Sequence, residues 1–466
     1  MMTHMESRIL PCTLALAGLC TAHAAPPSDT GLAKEIYKQL IEINTTHSAG
    51  STTEAARAMQ KRLLDAGLPG ADIEVIEPFP RKGNLVARYR GTGARRPLLL
   101  LAHLDVVEAR PSDWKTDPFK LREQGGYYVA RGAVDDKAMA AAYVSVLCQF
   151  KREGFTPNRD IVMALTADEE RGGTPENGAQ WLVRNRRSLV EAEYGINEGG
   201  RGELRHGQPI AHIVQVAEKT YVDYQFEATG PGGHSARPTP DNPVYDLAEA
   251  LVRLRQFQFP VRLNELARAY FDRSAPVQEL ASEQADFRGA ATGSPSEEVL
   301  GRLSARPSIV GLLRTTCVAT MVEAGQAPNA LAQRATATIN CRALPGEDLA
   351  AIGTALAEIA GSKVKVTRLA QEEPAPASPL DPVVLGAVER ISAAMWPGVP
   401  VVPTMGVSTT DSRAFRAAGI PMYGVSGLFV DPDQSGVHGL NEKVGIKQVE
   451  DCREFLYRLV KTLASE

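Results

Sequence analysis

Cysteine is scarce in this sequence, with six among 466 residues. None has C-x-x-C spacing, which argues against a metal site built from cysteine thiolates. Cys148 lies in an apolar stretch of helical character and is predicted to pack in a core. Cys317 and Cys341 fall on neighbouring predicted strands. A disulfide could join them after export, but we expect buried free thiols at both positions.

Neither sign of charge dominates the chain. The 51 Lys and Arg residues nearly balance the 55 Asp and Glu residues, and the formal net charge is -4. This balance gives no electrostatic case for a nucleic acid or an anionic membrane as a partner. The chain is long enough for two or three domains with a sizeable core.

Outside the first residues, no apolar run approaches the length of a membrane span, and the N-terminal run is also too short. Arg8 precedes an apolar stretch from Ile9 to Cys20, and Ala22-His23-Ala24 is an A-x-A cleavage signal. This pattern is typical of a secretory leader at residues 1–24. We therefore expect a periplasmic or secreted protein. An unstructured N-terminus without export is the alternative.

The spacing of apolar residues predicts two kinds of domain. Strands alternate with helices between residues 72 and 189, which favours a layered α/β domain. Near Glu218 the pattern changes to strands and helices typical of a small α+β module. The α/β character resumes after residue 373 and ends in a predicted helix at 448–463. We predict a larger domain from 25–218 and 373–466, and an inserted module at 219–372, with a helical or loop insertion at 262–308.

Three apolar runs each end in residues that can bind a metal ion. Leu98–Ala102 leads to His103 and Asp105, Ile161–Leu165 leads to Asp168-Glu169-Glu170, and Tyr194–Asn197 leads to Glu198. Such runs are typical of strands buried on both faces, and chemistry collects at the carboxyl ends of those strands. One edge of a sheet would then carry a histidine and several carboxylates, which a two-metal hydrolytic centre needs.

Imidazole and carboxylate ligands without thiolates fit Zn²⁺, and also Co²⁺ or Mn²⁺. The candidate ligands are His103, Asp135, Glu170, Glu198 and His438. Each has an ordinary alternative, because a single histidine usually packs or is solvated and an acidic triplet can be a charged loop. Their placement at strand ends favours the metal, since buried carboxylates are unfavourable unless paired or metal-bound. Three other histidines beyond the leader have no such context and are predicted to be structural: His47, His206 and His212.

Taken together, these residues resemble a known family. Six motifs carry the resemblance, in this order: Leu101-Ala102-His103-Leu104-Asp105, Arg131-Gly132-Ala133-Val134-Asp135-Asp136-Lys137, Asp168-Glu169-Glu170-Arg171-Gly172-Gly173, Asn197-Glu198-Gly199-Gly200, Gly230-Pro231-Gly232-Gly233-His234-Ser235 and His438-Gly439-Leu440-Asn441-Glu442. They are similar to the dinuclear-zinc exopeptidases, which include glutamate carboxypeptidase, aminoacylase, carboxypeptidase S and succinyl-diaminopimelate desuccinylase. Asn197-Glu198-Gly199-Gly200 and the long insertion make the carboxypeptidase S branch the most similar. The resemblance implies a sheet flanked by helices with an inserted ferredoxin-like domain that serves as lid and dimerisation domain.

The resemblance also implies roles around two zinc ions. His103 and Glu198 would hold one ion, Glu170 and His438 the other, and Asp135 would bridge both. Asp105 would orient His103, as the imidazole of a metal ligand usually requires. Glu169 would act as general base and then as general acid. The family further implies a cis peptide bond between Asp135 and Asp136.

On the substrate side, the resemblance assigns Asn329 and Arg342 to a substrate carboxylate, which a guanidinium can bind bidentately. Gly406 would belong to a glycine-rich substrate loop. In dimeric relatives the residue matching His234 crosses to the partner subunit and hydrogen-bonds the oxyanion, so a homodimer through the inserted domain is expected. The sequence departs from the family pattern at Ala138 and Ala332, which puts substrate preference in doubt.

The function expected from these residues is hydrolysis of an amide bond next to a free carboxylate. The substrate would be a peptide or an N-acyl amino acid, and the enzyme a carboxypeptidase, dipeptidase or N-acyl-amino-acid hydrolase. Two alternatives are a biosynthetic desuccinylase or deacetylase, which the leader argues against, and a catalytically silent metal- or peptide-binding protein. The presence of Glu169 and of all five candidate ligands argues against the silent protein.

Overall fold

A computed structural model describes residues 30–171, 174–371 and 374–466. The predicted leader, with Cys12 and Cys20, lies outside these residues, as do Gly172 and Gly173. The strands are β1 Ile73–Phe79, β2 Lys82–Tyr89, β3 Arg95–His103, β4 Arg122–Gln124, β5 Tyr127–Val129, β6 Arg159–Thr166, β7 Tyr194–Asn197, β8 Gly202–Arg205, β9 Gln208–Glu218, β10 Thr220–Thr229, β11 Gly233–His234, β12 Thr316–Ala324, β13 Ala330–Leu331, β14 Arg334–Ala343, β15 Val364–Gln371, β16 Val401–Gly406, β17 Met422–Gly424, β18 Phe429–Val430 and β19 Lys443–Gly445.

The helices occupy the segments between these strands, largely where the sequence predicted them. They are α1 Thr30–Glu42, α2 Thr52–Asp65, α3 Lys137–Glu153, α4 Gly178–Asn185, α5 Arg187–Val190, α6 Pro243–Gln256, α7 Glu265–Ser274, α8 Ala281–Ala291, α9 Glu297–Ser304, α10 Pro307–Leu313, α11 Leu349–Ala360, α12 Pro382–Met395, α13 Ser412–Ala417 and α14 Ile446–Ser465. Among the described residues, none of these helices is long and apolar enough to cross a membrane.

A large mixed sheet forms the centre of the molecule, with the strand order β1-β2-β6-β3-β7-β17-β9-β8-β18 and with β16 paired to β9. β3 runs parallel to both β6 and β7. Leu98, Leu100 and Ala102 pack into one core and Leu99 and Leu101 into another, on opposite faces of the sheet. Helices cover both faces, which explains the uninterrupted apolar run of β3. The predicted α/β class is confirmed.

The described residues of the predicted inserted module form a separate sheet in the order β12-β14-β10-β15. β10 alternates as predicted, with Val222, Tyr224, Phe226 and Ala228 buried against helices α6 and α11. This pattern is typical of a sheet with one covered face. A short two-stranded ribbon, β11 with β13, projects from the same module.

The segment predicted as a helical or loop insertion at 262–308 is helical, and its four helices, α7 to α10, extend it to Leu313. Its apolar residues Leu266, Phe271, Phe287 and Leu313 belong to the same core as the large sheet, and α7 packs on β16. The insertion therefore packs against the larger domain, although it lies within the predicted module at 219–372. The predicted domain boundaries stay predictions, and the one at 372/373 lies outside the described residues.

The expectation of free thiols at Cys317 and Cys341 is wrong, because the two form a disulfide. Antiparallel pairing of β12 with β14 places these residues directly opposite each other, with their Cα atoms 4.1 Å apart. Proximity of this kind depends on the register of the two strands, which the sequence alone does not specify. Cys148 is buried in α3, as predicted.

Candidate active site

The metal-ligand candidates meet where three neighbouring strands end. His103 is the last residue of β3, Asp168 to Glu170 follow β6, and Glu198 follows β7. Parallel pairing of β3 with β6 and β7 brings these three ends to one edge of the sheet. The loop before α3 adds Asp135, and the loop before β19 adds His438.

Asp135 contacts both histidines of this group. Its Oδ1 lies 2.8 Å from Nε2 of His103, and its Oδ2 lies 3.2 Å from Nε2 of His438. His438 Nε2 is also 3.0 Å from Oε2 of Glu170. Ligand atoms of His103, Asp135 and Glu170 lie within 4.8 Å of one another, so these three could hold one cation. The two oxygens of Asp135 face different imidazoles, an arrangement that suits a carboxylate shared by two cations.

Glu198 does not join that three-residue cluster but lines the same cavity as Asp135 and Glu170. Burial raises the pKa of Glu198 well above its usual value, and the charge of Asp135 adds to this rise. Burial likewise raises the pKa of Glu169. Several carboxylates this close together repel one another in a buried site, and divalent cations would offset that repulsion. The donor set therefore fits a metal centre.

The histidines of the cluster are strongly coupled to its carboxylates. Burial alone would raise the pKa of Asp135, but hydrogen bonds with His103 and His438 hold it below its usual value. Hydrogen bonds with Asp135 and Glu170 raise the pKa of His438 to about 10. A cation would replace the proton shared in these contacts, because imidazole binds metal in its neutral form.

Asp105 connects the ends of β3 and β6. Its Oδ1 accepts the backbone N–H of Glu169 and its Oδ2 that of Glu170, each at 3.1 Å. Nδ1 of His103 lies 3.0 Å from the backbone oxygen of Asp105 and 3.6 Å from its carboxylate. Asp105 thus contacts His103 mainly through its carbonyl, while its side chain positions the two glutamates. The peptide bond between Asp135 and Asp136 is cis, as predicted.

The turn that carries Glu169 and Glu170 depends on a buried ion pair that the sequence did not reveal. Asp168 has a left-handed backbone (φ 54°), and its carboxylate lies 2.5 Å from Nζ of Lys82 at the start of β2. His47, predicted to be structural, contacts Lys82 at 2.9 Å and lies outside the ligand cluster. The sequence gives no indication of this contact, because Lys82 and Asp168 are 86 residues apart and are brought together only by the fold.

Arg342 and Gly406 line a cavity of about 1000 Å³, which four of the five ligand candidates also line: Asp135, Glu170, Glu198 and His438. The guanidinium of Arg342 lies 4.7 Å from the ring centre of Tyr221 and donates to the Val407 carbonyl at 3.4 Å. Tyr270, Ser308 and Leu312 also line the cavity. They belong to helices α7 and α10, so the helical insertion forms part of the wall, which the sequence did not predict.

His234 and Asn329 lie together, but not in the cavity. Both are at the two-stranded ribbon, where the Ser235 N–H donates to the Asn329 carbonyl at 3.0 Å. His234 is exposed, and its Nδ1 accepts the N–H of Ala236 at 3.1 Å. Neither residue is among those that line the cavity in a single subunit.

A mixed α/β sheet with a histidine–carboxylate cluster at the carboxyl ends of its strands defines a class, the metal-dependent hydrolases. The sequence model described as Peptidase family M20/M25/M40 matches residues 99–462, and the chain belongs to this family of metallopeptidases and amidohydrolases. The recognition of the family and the prediction of a hydrolytic enzyme are confirmed.

Relatives and solved structures agree with this assignment. The chain is 28% identical over 451 residues to N-fatty-acyl-amino acid synthase/hydrolase PM20D1 of Mus musculus, covering 92% of this chain and 87% of the relative. It is 24% identical over 412 residues to carboxypeptidase S of Saccharomyces cerevisiae, covering 78% and 71%. The M20 family metallo-carboxypeptidase Sso-CP2 of Sulfolobus solfataricus shares the fold, with a TM-score of 0.67 at 18% identity over 93% of this chain and 99% of that one.

Proposed function

We propose that the protein is an exported two-zinc hydrolase that cleaves an amide bond next to a free carboxylate. The observation that carries this proposal is one cavity of about 1000 Å³, which is lined by Asp135, Glu169, Glu170, Glu198 and Arg342. It combines a metal-ligand set, a carboxylate for proton transfer and a cation for the substrate. A peptide or an N-acyl amino acid offers the matching groups.

Five residues would hold the metal ions: His103 and Glu198 one, Glu170 and His438 the other, with Asp135 between them. Imidazole and carboxylate donors without thiolates favour zinc over softer metals, and Co²⁺ or Mn²⁺ could substitute. When bound, two such cations supply Lewis-acid activation of water and of the scissile carbonyl.

Glu169 would take the proton of the attacking water and deliver it to the leaving nitrogen. Its backbone is held by Asp105, while the adjacent Glu170 faces His438. The two neighbouring glutamates can therefore have different roles, one as ligand and one as base.

Arg342 would bind the free carboxylate of the substrate, and the stretch around Gly406 would contact its backbone. Stacking on Tyr221 and the contact with Val407 fix the guanidinium at the cavity wall. The volume of the cavity and its additional wall from the helical insertion support a substrate with a large group on the other side of the scissile bond. The named activity of the mouse relative, on N-fatty-acyl amino acids, agrees with such a group.

His234 and Asn329 would complete the active site of a partner subunit in a homodimer. β12 is the outer strand of its sheet, and Val318, Met321 and Val322 on it are more than half exposed (58%, 59% and 58%). An exposed apolar edge strand is a frequent pairing site for a second chain. Pairing there would join two inserted modules.

Export to the periplasm or the medium rests on the leader pattern at residues 1–24. The Cys317–Cys341 disulfide supports it, because structural disulfides persist in oxidising compartments. N-terminal sequencing of the protein from its native host should find a start near Ala25. An intact Met1 or Met5 on the functional protein would contradict export.

A hydrolysis screen tests the activity. Purified enzyme is assayed for zinc and then given dipeptides and N-acyl amino acids, each with a free or an amidated carboxylate. We expect much higher kcat/KM for substrates with a free carboxylate than for their amides. Zinc without turnover on any substrate would instead favour a metal- or peptide-binding protein, and preference for succinylated amines would favour the desuccinylase alternative.

A further inference from the structure

A buried ion pair links the two loops that carry Asp135 and His438. Nη1 of Arg131 lies 2.8 Å from Oε2 of Glu442, and both side chains are nearly inaccessible (3% and 1%). The second arm of the guanidinium donates to the Gly439 carbonyl at 2.7 Å, next to His438. The guanidinium also stacks on Trp114, 5.1 Å from the ring centre.

Glu442 in turn holds the loop that leads into Asp135. Its Oε1 accepts the N–H of Val134 at 2.7 Å and that of Asp135 at 3.2 Å. Its Oε2 accepts the N–H of Gly132 at 3.0 Å in addition to the Arg131 contact. The Glu442 carboxylate therefore accepts hydrogen bonds from three backbone N–H groups between residues 132 and 135 and from one guanidinium. Glu442 thus contacts Asp135 itself, and Arg131 contacts Gly439, the residue next to His438.

The loop at residues 438–441 needs such support. His438 (φ 60°) and Asn441 (φ 56°) both have left-handed backbones without being glycine. Conformations of this kind persist only where their surroundings determine them. Arg131 binds the carbonyl of Gly439, which lies between these two residues in the loop.

We propose that Arg131 and Glu442 are positioning residues that set the distance between Asp135 and His438 and so tune one cation site more than the other. The inference rests on the proposed two-metal function. The site affected is the one that His438 and Glu170 would form with Asp135. The other site shares Asp135 but takes its remaining ligands, His103 and Glu198, from the ends of β3 and β7. Among the described residues, no hydrogen bond or ion pair joins His103 or Glu198 to Arg131 or Glu442.

The test is a calorimetric titration of metal-free protein with Zn²⁺. For Glu442→Gln we expect one binding step to weaken about 10- to 100-fold while the other changes little, because loss of a residue that orients a ligand typically weakens affinity to that extent. Glu193→Gln is the matched control. Glu193 pairs with buried Arg159, its Oε2 lying 2.8 Å from Nη1, at the end of the strands opposite the metal-ligand candidates. Its substitution should leave both binding steps unchanged.

Arg131→Lys is the second variant for the same titration if Glu442→Gln does not fold. Lysine keeps the charge but lacks the planar fork, so the contact with Gly439 is lost and the same step should weaken to a smaller extent. Equal weakening of both steps, or of neither, in variants that remain folded would overturn the proposal, as would a wild-type chain that binds only one ion. Normal two-step binding without hydrolysis of any amide would instead contradict the proposed function and leave the positioning role intact.

Discussion

The carboxylate of Asp105 accepts the backbone N–H of Glu169 at 3.1 Å. Asp105 follows β3 and Glu169 follows β6, so this hydrogen bond ties together two strand ends of the large sheet. The proposed general base is therefore positioned through its main chain, and its side chain remains available for proton transfer. Glu442 acts in a similar way, because its buried carboxylate accepts backbone N–H groups of the loop that carries Asp135.

The proposed carboxylate clamp is tested by Arg342→Ala. We expect kcat/KM to fall about 10- to 150-fold for substrates with a free carboxylate, since a hydrogen bond between charged groups is typically that strong. Amidated substrates should be nearly unaffected. Arg334→Ala on the same strand, where Arg334 is exposed and pairs with Glu227, is the control. An equal loss on both substrate types would show that Arg342 is structural.

The helical insertion should influence which acyl groups the enzyme accepts. Leu312→Trp would reduce the cavity volume, so kcat/KM should decrease for N-acyl amino acids with large acyl groups and change little for acetyl substrates. Each buried CH₂ contributes about fourfold, so the loss should grow with acyl length until the cavity is filled. Leu280→Trp, at an exposed position of the same insertion, is the matched control. If kcat/KM depends on acyl length in the same way in both variants, α10 does not contribute to substrate selection.

Exchange between subunits is tested by mixing two inactive variants, Glu169→Gln and His234→Ala. If His234 acts across the dimer, half of the dimers are hybrids with one complete site each, and about a quarter of wild-type activity should return. Action within one chain predicts no recovery. Activity in a monomeric wild-type protein would rule out the exchange.

Acid should destabilise the fold through His212. Burial lowers the pKa of His212 to about 3, and the ring packs against Trp396, Phe429 and Phe455. Below about pH 6.5 the unfolded chain takes up a proton that the folded chain excludes, so stability falls by about 1.4 kcal/mol per pH unit down to about pH 3. At pH 7 this contribution is absent, because His212 is neutral in both states.

His212→Phe should flatten this slope, as measured by denaturant unfolding between pH 4 and pH 7. The variant also loses the contact between Nδ1 and the Ser392 hydroxyl at 2.8 Å, so the slope is the informative quantity and absolute stability is not. His206→Asn, at an exposed turn with φ 51°, should keep the wild-type slope. A wild-type slope in His212→Phe would contradict this account.

The sequence predicted the strand ends well, because His103, Glu170 and Glu198 each come after an apolar run that is typical of a buried strand. It did not predict contacts that depend on the three-dimensional path of the chain. Arg131 and Glu442 are 311 residues apart, and the disulfide at Cys317 required the register of β12 with β14. The packing of the helical insertion on the cavity wall was missed for the same reason, since polar helices give little indication of the surface they cover.

The central claim is that Glu169 transfers protons and Glu170 binds metal in a two-zinc hydrolase. Zinc content and kcat, measured together on wild type, Glu169→Gln and Glu170→Gln, test it most directly. We predict two zinc ions per chain in the first two proteins and a loss of zinc in Glu170→Gln. Glu169→Gln should lose about 10²- to 10⁴-fold in kcat, the usual contribution of a general acid–base group. Near-normal turnover in Glu169→Gln, with its zinc retained, would contradict the assignment.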